Sequence, residues 1–231
     1  MKLIIENLNK RFDQHHVLND VNFSFEQGKI YGLLGRNGSG KTTLFNCISQ
    51  EIKCDSGRIY FDDNQDITNQ DVGFVYTTPM LPDFMTGYEF MVFFADIHES
   101  KGLNRNDIDV YFDRIQFTTD DRHRLIKDYS TGMKNKLQML CLILIKPKIL
   151  LLDEPLTSFD VVASMEMKKE LINIKESCIM ILSTHILQIA TDICDKIVIL
   201  HNGQLEELEV DRLSNEEFEA EIMEKLNHES Q

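Results

Sequence analysis

One nine-residue segment, Gly35-Arg-Asn-Gly-Ser-Gly-Lys-Thr-Thr43, constrains this chain more than any other. It matches G-x-x-x-x-G-K-[ST] in full, follows the apolar run Ile30 to Leu34 and precedes a helical pattern from Thr43 to Ser49. Strand, glycine-rich loop and helix in that order are the setting of a phosphate-binding loop. Gly35, Gly38 and Gly40, with Asn37 and Ser39 between them, let backbone N–H groups approach phosphate oxygens without Cβ obstruction. The following helix adds the positive end of its dipole. Lys41 is placed to reach the β- and γ-phosphates of a nucleotide, the Thr42 hydroxyl to ligate Mg²⁺, and Thr43 to cap the helix or touch the α-phosphate.

The run Ile149-Leu-Leu-Leu-Asp-Glu-Pro155 supplies the complementary half. A buried strand that ends in two acids delivers both carboxylates to the edge of an open α/β sheet, where ligands bind. Asp153 is suited to hold Mg²⁺, through water, and Glu154 to accept a proton from an attacking water.

The rest of the chain is organised around these two segments. Short β-like runs dominate to about residue 76: Leu3 to Ile5, Val21 to Phe25, Lys29 to Leu34, Gly57 to Phe61 and Val72 to Tyr76. Thr86 with Glu89 then makes a capping box, and Phe90, Phe93, Phe94 and Ile97 follow the i, i+3, i+4, i+7 spacing of a helix face turned to the core. Helices are expected over Asp107 to Phe117 and from Ser130 to Ile145, where Pro147 closes the second. Beyond it, the apolar runs Lys148 to Leu152, Cys178 to Leu182 and Lys196 to Leu200 alternate with helical patterns at Val161 to Ile174 and Ile186 to Cys194. Such alternation demands a parallel sheet. A last capping box, Ser214 with Glu217, opens a narrow apolar stripe of Phe218, Ile222 and Leu226, read as a small surface helix.

Composition excludes several classes. With 42% hydrophobic residues among 231, the chain can bury a real core and is not disordered. Its longest nearly unbroken apolar run, Leu137 to Ile145, is well short of the roughly 18 residues of a membrane-spanning helix, so no direct membrane insertion is expected. The start, MKLIIENLNK, meets Glu6 before any apolar stretch of signal-peptide length, which points to a cytoplasmic protein. A net charge of −14, much of it in the last 28 residues, disfavours a grip on nucleic-acid backbone. The five cysteines are odd in number and lack a C-x-x-C pair, so most read as buried thiols rather than a disulfide framework or zinc site.

With these motifs the sequence resembles the nucleotide-binding subunits of ATP-binding-cassette (ABC) transporters over residues 1 to about 205. Phe12, in Lys-Arg-Phe, stands where that family stacks adenine. Tyr129-Ser-Thr-Gly-Met133 stands for the signature L-S-G-G, with Ser130 and Gly132 retained and Thr131 replacing the first glycine. Phe159-Asp160 ends the loop after Glu154, and His185 in Ser-Thr-His stands where the family keeps a switch histidine. Where the family has a glutamine that bridges Mg²⁺ and water, this chain has Thr77, which keeps an oxygen but loses reach.

The resemblance implies an α/β P-loop ATPase with a RecA-like parallel core, an N-terminal antiparallel β-subdomain and an inserted helical subdomain. It divides the chain into 1–76, 77–146, 147–205 and an acidic C-terminal helix or tail over 206–231. It further implies ATP and Mg²⁺ as ligands, catalysis by Glu154, His185 and Lys41, and a dimer, of two copies or with a second cassette. In that dimer the signature of one subunit closes over the nucleotide of the other. A separate transmembrane permease would hold the subunit at the inner face of the membrane, and Phe84, Met85 and Tyr88 are expected to form a partly exposed patch that grips it. The alternative is an ABC-type ATPase or nucleotide switch that acts without a permease, on ribosomes or DNA. Ribosome-acting relatives carry two cassettes and DNA-repair relatives long coiled coils or zinc sites, features this sequence lacks.

Overall fold

A computed structural model describes residues 1–208. The expected helix with the stripe Phe218, Ile222 and Leu226 lies outside the described residues. In chain order the elements are β1 (Lys2–Phe12), β2 (His15–Glu26), β3 (Ile30–Leu34), α1 (Lys41–Ile48), β4 (Ser56–Phe61), β5 (Val72–Val75), α2 (Gly87–Ile97), α3 (Ile108–Arg114), α4 (Thr119–His123), α5 (Thr131–Ile145), β6 (Ile149–Asp153), α6 (Val161–Ile174), β7 (Ile179–Thr184), α7 (Leu187–Ile193), β8 (Lys196–His201) and β9 (Gln204–Leu208). They fall into two compact units. The first holds Met1–Phe74, Lys148–Glu154 and the described residues from Lys175 on; the second holds Val75–Pro147 and Pro155–Ile174.

The first unit contains two sheets. β2, β1 and β4 form an antiparallel sheet, and the second sheet runs β5-β6-β7-β3-β8-β9. β6, β7, β3 and β8 pair in parallel, as their uniformly apolar sequences require: every residue of β3, β6 and β7 is buried. β9 closes the edge antiparallel to β8, a strand the sequence patterning missed because the two leucines of its Gln-Leu-Glu-Glu-Leu are three residues apart and pack on opposite faces, which leaves no alternation to read. Leu3, Ile5 and Leu8 of β1, Leu44, Phe45 and Ile48 of α1, and Leu33, Leu151 and Ile181 of the parallel strands share one core. α7 covers the other face, with Ala190 packed among Leu34, Ile197 and Ile199.

In β1 the inward spacing changes from Ile5 to Leu8, which strict alternation would not allow. Asn7 takes a left-handed φ of 48° and the register with β2 shifts there, a bulge that returns Leu8 to the core. Opposite the bulge stands Gly57, at φ +90°, where an added Cβ would lie 2.4 Å from the Asn7 carbonyl oxygen.

The second unit is helical. Its capping box at Thr86 and Glu89 is formed in both directions, and Ser130 caps α5 by accepting a hydrogen bond from Met133 N–H at 3.1 Å. A second capping box, Thr118 with Asp121, starts α4, a helix too short for periodicity to reveal. Phe112 stacks on Phe117, which meets Tyr129 edge-on, and Arg122 binds Asp109, Asp113 and the Phe117 carbonyl.

The expected core face of α2 is corrected by the structure. Phe93 and Ile97 are more than half exposed, Phe90 and Phe94 are half-buried, and the buried face is Gly87, Met91 and Ala95. Gly87 sets this face because it permits close approach: a Cβ there would sit 2.1 Å from the Tyr129 hydroxyl oxygen, which itself donates to Asp121 C=O at 2.6 Å. Large apolar residues line the other sides, so their spacing alone misassigned the face.

Gly57→Ala combines a left-handed φ with a backbone collision, and it is expected to lower the unfolding free energy by about 2 kcal/mol or more. Denaturant titration checks this; a loss within a few tenths of the wild-type value would show that the bulge at Asn7 can relax around a side chain.

Candidate functional site

The first unit assembles the phosphate loop and the acidic strand end. Gly38 and Gly40 both take left-handed φ, and a Cβ on Gly40 would strike Val17 Cγ1 at 2.6 Å, so the loop needs glycine where it turns into α1. Lys41 is buried, and its Nζ donates to the Gly35 and Arg36 carbonyls at 2.6 and 2.9 Å. Burial pulls its pKa down, against the opposing charges of Glu154 and Asp153. The ammonium thus bends over the loop that a phosphate would fill. Inside the same loop, Ser39 Oγ is buried without a hydrogen-bond partner, a polar atom whose solvation has been removed and not replaced.

Asp153, Thr42, Glu154 and His185 form a connected polar cluster. Thr42 Oγ1 donates to Asp153 Oδ2 at 3.0 Å, and Ser183 Oγ donates to Asp153 Oδ1 at 2.5 Å. Ser183 in turn receives Glu154 N–H on its hydroxyl at 3.2 Å, and the His185 Nδ1 lies 2.7 Å from Glu154 Oε1. The structure therefore brings together five of the residues named from sequence: Lys41, Thr42, Asp153, Glu154 and His185. A hydroxyl and a carboxylate in contact are hard oxygen donors of the kind Mg²⁺ takes, so the residues fit that ion.

Ser183 is a site residue that sequence reading missed. It lies inside an apolar strand, and only its pairing with Asp153 in the sheet register shows its role. A cavity of about 430 Å³ beside the loop is lined by His15, His16, Asn37, Gly38, Ser39 and Asn202, among others. Its two histidines were also missed, since a hairpin turn carries no motif. Phe12, at the end of β1, is 48% exposed, and the Lys10 ammonium sits 5.3 Å from its ring centroid. A half-exposed aromatic ring retains the free surface that stacking against a base requires.

The remaining candidates belong to the second unit. Ser130, Thr131 and Gly132 line a cavity of about 450 Å³ together with Ser158, Phe159 and Asp160, so the signature-like segment and the loop after the acidic strand meet. Asn135 Nδ2 donates to Ser158 Oγ at 2.5 Å, and Asp160 caps α6 through Ala163 N–H at 2.8 Å. Thr77 is exposed just after β5, while the neighbouring Tyr76 carbonyl accepts from Gln138 Nε2 at 3.1 Å.

Comparison with known proteins places this geometry. The family model for ABC transporters matches residues 18–157. An uncharacterised ABC transporter ATP-binding protein of Bacillus subtilis is 32% identical over 211 residues, covering 88% of this chain and 67% of that protein. The bacitracin transport ATP-binding protein of Enterococcus faecalis is 30% identical over 216 residues, 90% of this chain and 69% of its own. Among solved structures, an ATP-binding subunit of an ABC transporter superposes with a TM-score of 0.81 at 26% identity, over 96% of this chain and all of that one. A component of the Clostridium perfringens transporter complex cbiONQ gives 0.76 at 26% identity, over 99% and 95%. With its phosphate loop, acidic strand and signature-like segment in family order, this chain belongs to the ATP-binding subunits of ABC transporters, ATPases that couple hydrolysis to transport.

Proposed function

We propose that this chain works as a nucleotide-sandwich dimer, with itself or a second cassette, and drives a separate transmembrane permease that holds it at the inner face of the membrane. The observation that carries the reading is the polar cluster of Lys41, Thr42, Asp153, Ser183, Glu154 and His185 at one edge of the parallel sheet. Phe12 stacks the base, and Gly35 to Thr43 wrap the phosphates. Lys41 exchanges its loop carbonyls for β- and γ-phosphate oxygens, a charge-assisted bond replacing a neutral one.

Thr42 and Asp153 would hold Mg²⁺, and the ion would supply charge neutralisation to the phosphates. Glu154 takes the proton of the attacking water, and His185, 2.7 Å from its carboxylate, holds that carboxylate in place. Ser130 and Gly132, at the N-terminus of α5, supply the partner copy's side of the sandwich.

Lys41→Ala is expected to weaken ATP binding by about two orders of magnitude, the worth of a hydrogen-bonded charge. Glu154→Gln should bind ATP as the wild type does but hydrolyse it about 10²- to 10⁴-fold more slowly. Equilibrium binding and single-turnover hydrolysis separate the two effects, and wild-type turnover by Glu154→Gln would remove it from the general-base role.

Pairing should follow nucleotide, since the γ-phosphate is the contact both copies share. Two chains of net charge −14 repel each other, so moderate salt should help Glu154→Gln dimerise with ATP rather than hinder it. Gel filtration reads this directly. A monomer under every ATP and salt condition, with permease present, is the contrary result.

The permease is expected to seat on the apolar segment that follows Thr77. Met80 and Phe84 are 78% and 83% exposed there, while Met85 and Tyr88 are half-buried. Met80→Asp with Phe84→Asp should leave ATP binding unchanged and abolish co-purification with the membrane partner. Normal assembly by that double variant would move the docking surface elsewhere.

A further inference from the structure

Two thiols behind the phosphate loop are used by none of the roles above. Cys47 is buried in the last turn of α1, the helix that starts at Lys41, and Cys54 is half-buried in the turn that leads to β4. Between them the chain reverses: Gln50 takes a φ of 62°, and Ile52 N–H donates to the Asn46 carbonyl at 3.2 Å. The reversal brings Cys54 back to Cys47: both pack against one core, and they line one cavity of about 410 Å³ with Gln50, Arg58, Ile59 and Ile67.

The pair is chemically asymmetric. The neighbouring Cys47 thiol, helped by the Lys10 ammonium, holds the Cys54 thiol below its ordinary range, while Cys54 and burial push Cys47 up. A half-buried thiol that ionises more easily beside a buried one that keeps its proton is the arrangement of an attacking and a resolving cysteine. Cys141, Cys178 and Cys194 are all pushed up by burial and are inert by the same criterion.

What makes the pair consequential is the turn that carries Cys54. Lys10 Nζ donates to the Lys53 carbonyl at 2.7 Å and to Asp55 Oδ1 at 3.3 Å, and Arg11 N–H donates to Asp55 Oδ2 at 2.7 Å. The same Lys10 ammonium lies against Phe12. The turn therefore fixes the end of β1, and Cys47 sits on the helix that the phosphate loop opens.

We propose that Cys47 and Cys54 are a peroxide-responsive dithiol whose closure to a disulfide weakens nucleotide binding. The Cys54 thiolate attacks one oxygen of hydrogen peroxide; the O–O bond breaks, and the departing hydroxide takes up the thiol's proton as water. The Cys47 sulfur then attacks the sulfenic sulfur of Cys54, and the sulfenic hydroxyl leaves with the Cys47 proton as a second water. Two thiols lose two electrons and two protons, one peroxide accepts them, and a single S–S bond forms. Closure draws the Lys53–Asp55 turn toward α1, straining the bonds that hold Lys10, Arg11 and hence Phe12.

The test uses the full chain, treated with hydrogen peroxide and then desalted. Intact mass should show loss of two hydrogens, and non-reducing peptide mapping should link Cys47 to Cys54. The dissociation constant for ATP should rise about fivefold, within the usual size of coupling between sites, and dithiothreitol should reverse both changes. Cys54→Ser, with Cys54→Ala as a second variant, should keep its affinity after peroxide. Cys47→Ala should leave a sulfenic acid at Cys54 that dimedone traps. Free thiols at both positions after peroxide, a Cys47–Cys54 disulfide with unchanged affinity, or an equal loss in Cys54→Ser would each overturn the proposal. The mapping needs neither permease nor nucleotide, so its result is independent of the function proposed above.

Discussion

The site depends on the register of three parallel strands. Leu34 of β3 pairs with Thr184 of β7, and Ser183 of β7 pairs with Asp153 of β6, so the strands end at nearly one level. The residues that follow, Gly35, His185 and Glu154, therefore leave the sheet at a common edge. A parallel sheet needs its crossover segments on the faces, which frees the strand ends to carry polar side chains. A one-residue slip of β6 would turn Asp153 to the opposite face and break its bonds to Thr42 and Ser183 together. Leu151, Ile181 and Leu33, fully buried in one core on the same face as Asp153 and Ser183, oppose the slip, since it would turn Leu151 out of that core.

Legibility followed the kind of signal. Segments with a chemical motif or a strong period are legible: the glycine-rich turn into α1, the Ile149–Asp153 strand, the helix from near Ser130 to Ile145, and the Thr86–Glu89 capping box. Features set by tertiary neighbours are not. The packed face of α2 is decided by Tyr129 pressing on Gly87, Ser183 acquires meaning only beside Asp153, and Cys54 meets Cys47 only because Gln50 reverses the chain. None of these leaves a trace in spacing.

The second unit explains which signature glycine this sequence can lose. Thr131 is the first residue of α5, has ordinary helical backbone and is exposed, so a β-branched side chain costs little there. Gly132 is different: a Cβ at that position would lie 3.1 Å from the Ser158 carbonyl oxygen, against the loop that Asn135 also grips. The retained glycine is the one that the packing requires. Ser130 already accepts Met133 N–H, yet a hydroxyl that accepts can still donate, so the cap leaves its proton available to an anion.

Glu154 shows how such a site holds a strained residue. It takes a left-handed φ of 51°, uncommon for a side chain of its size and costing on the order of 1 kcal/mol or more. Two bonds oppose that cost, from its N–H to the Ser183 hydroxyl and to the Ser183 carbonyl, each 3.2 Å. The twist is what turns its carboxylate away from the strand direction and toward His185, while Asp153, one residue earlier in extended backbone, points to Thr42. Two adjacent acids in a regular strand would face opposite sides of the sheet. The left-handed turn at Glu154 removes that alternation, and it lets one strand end present one carboxylate to Thr42 and the other to His185.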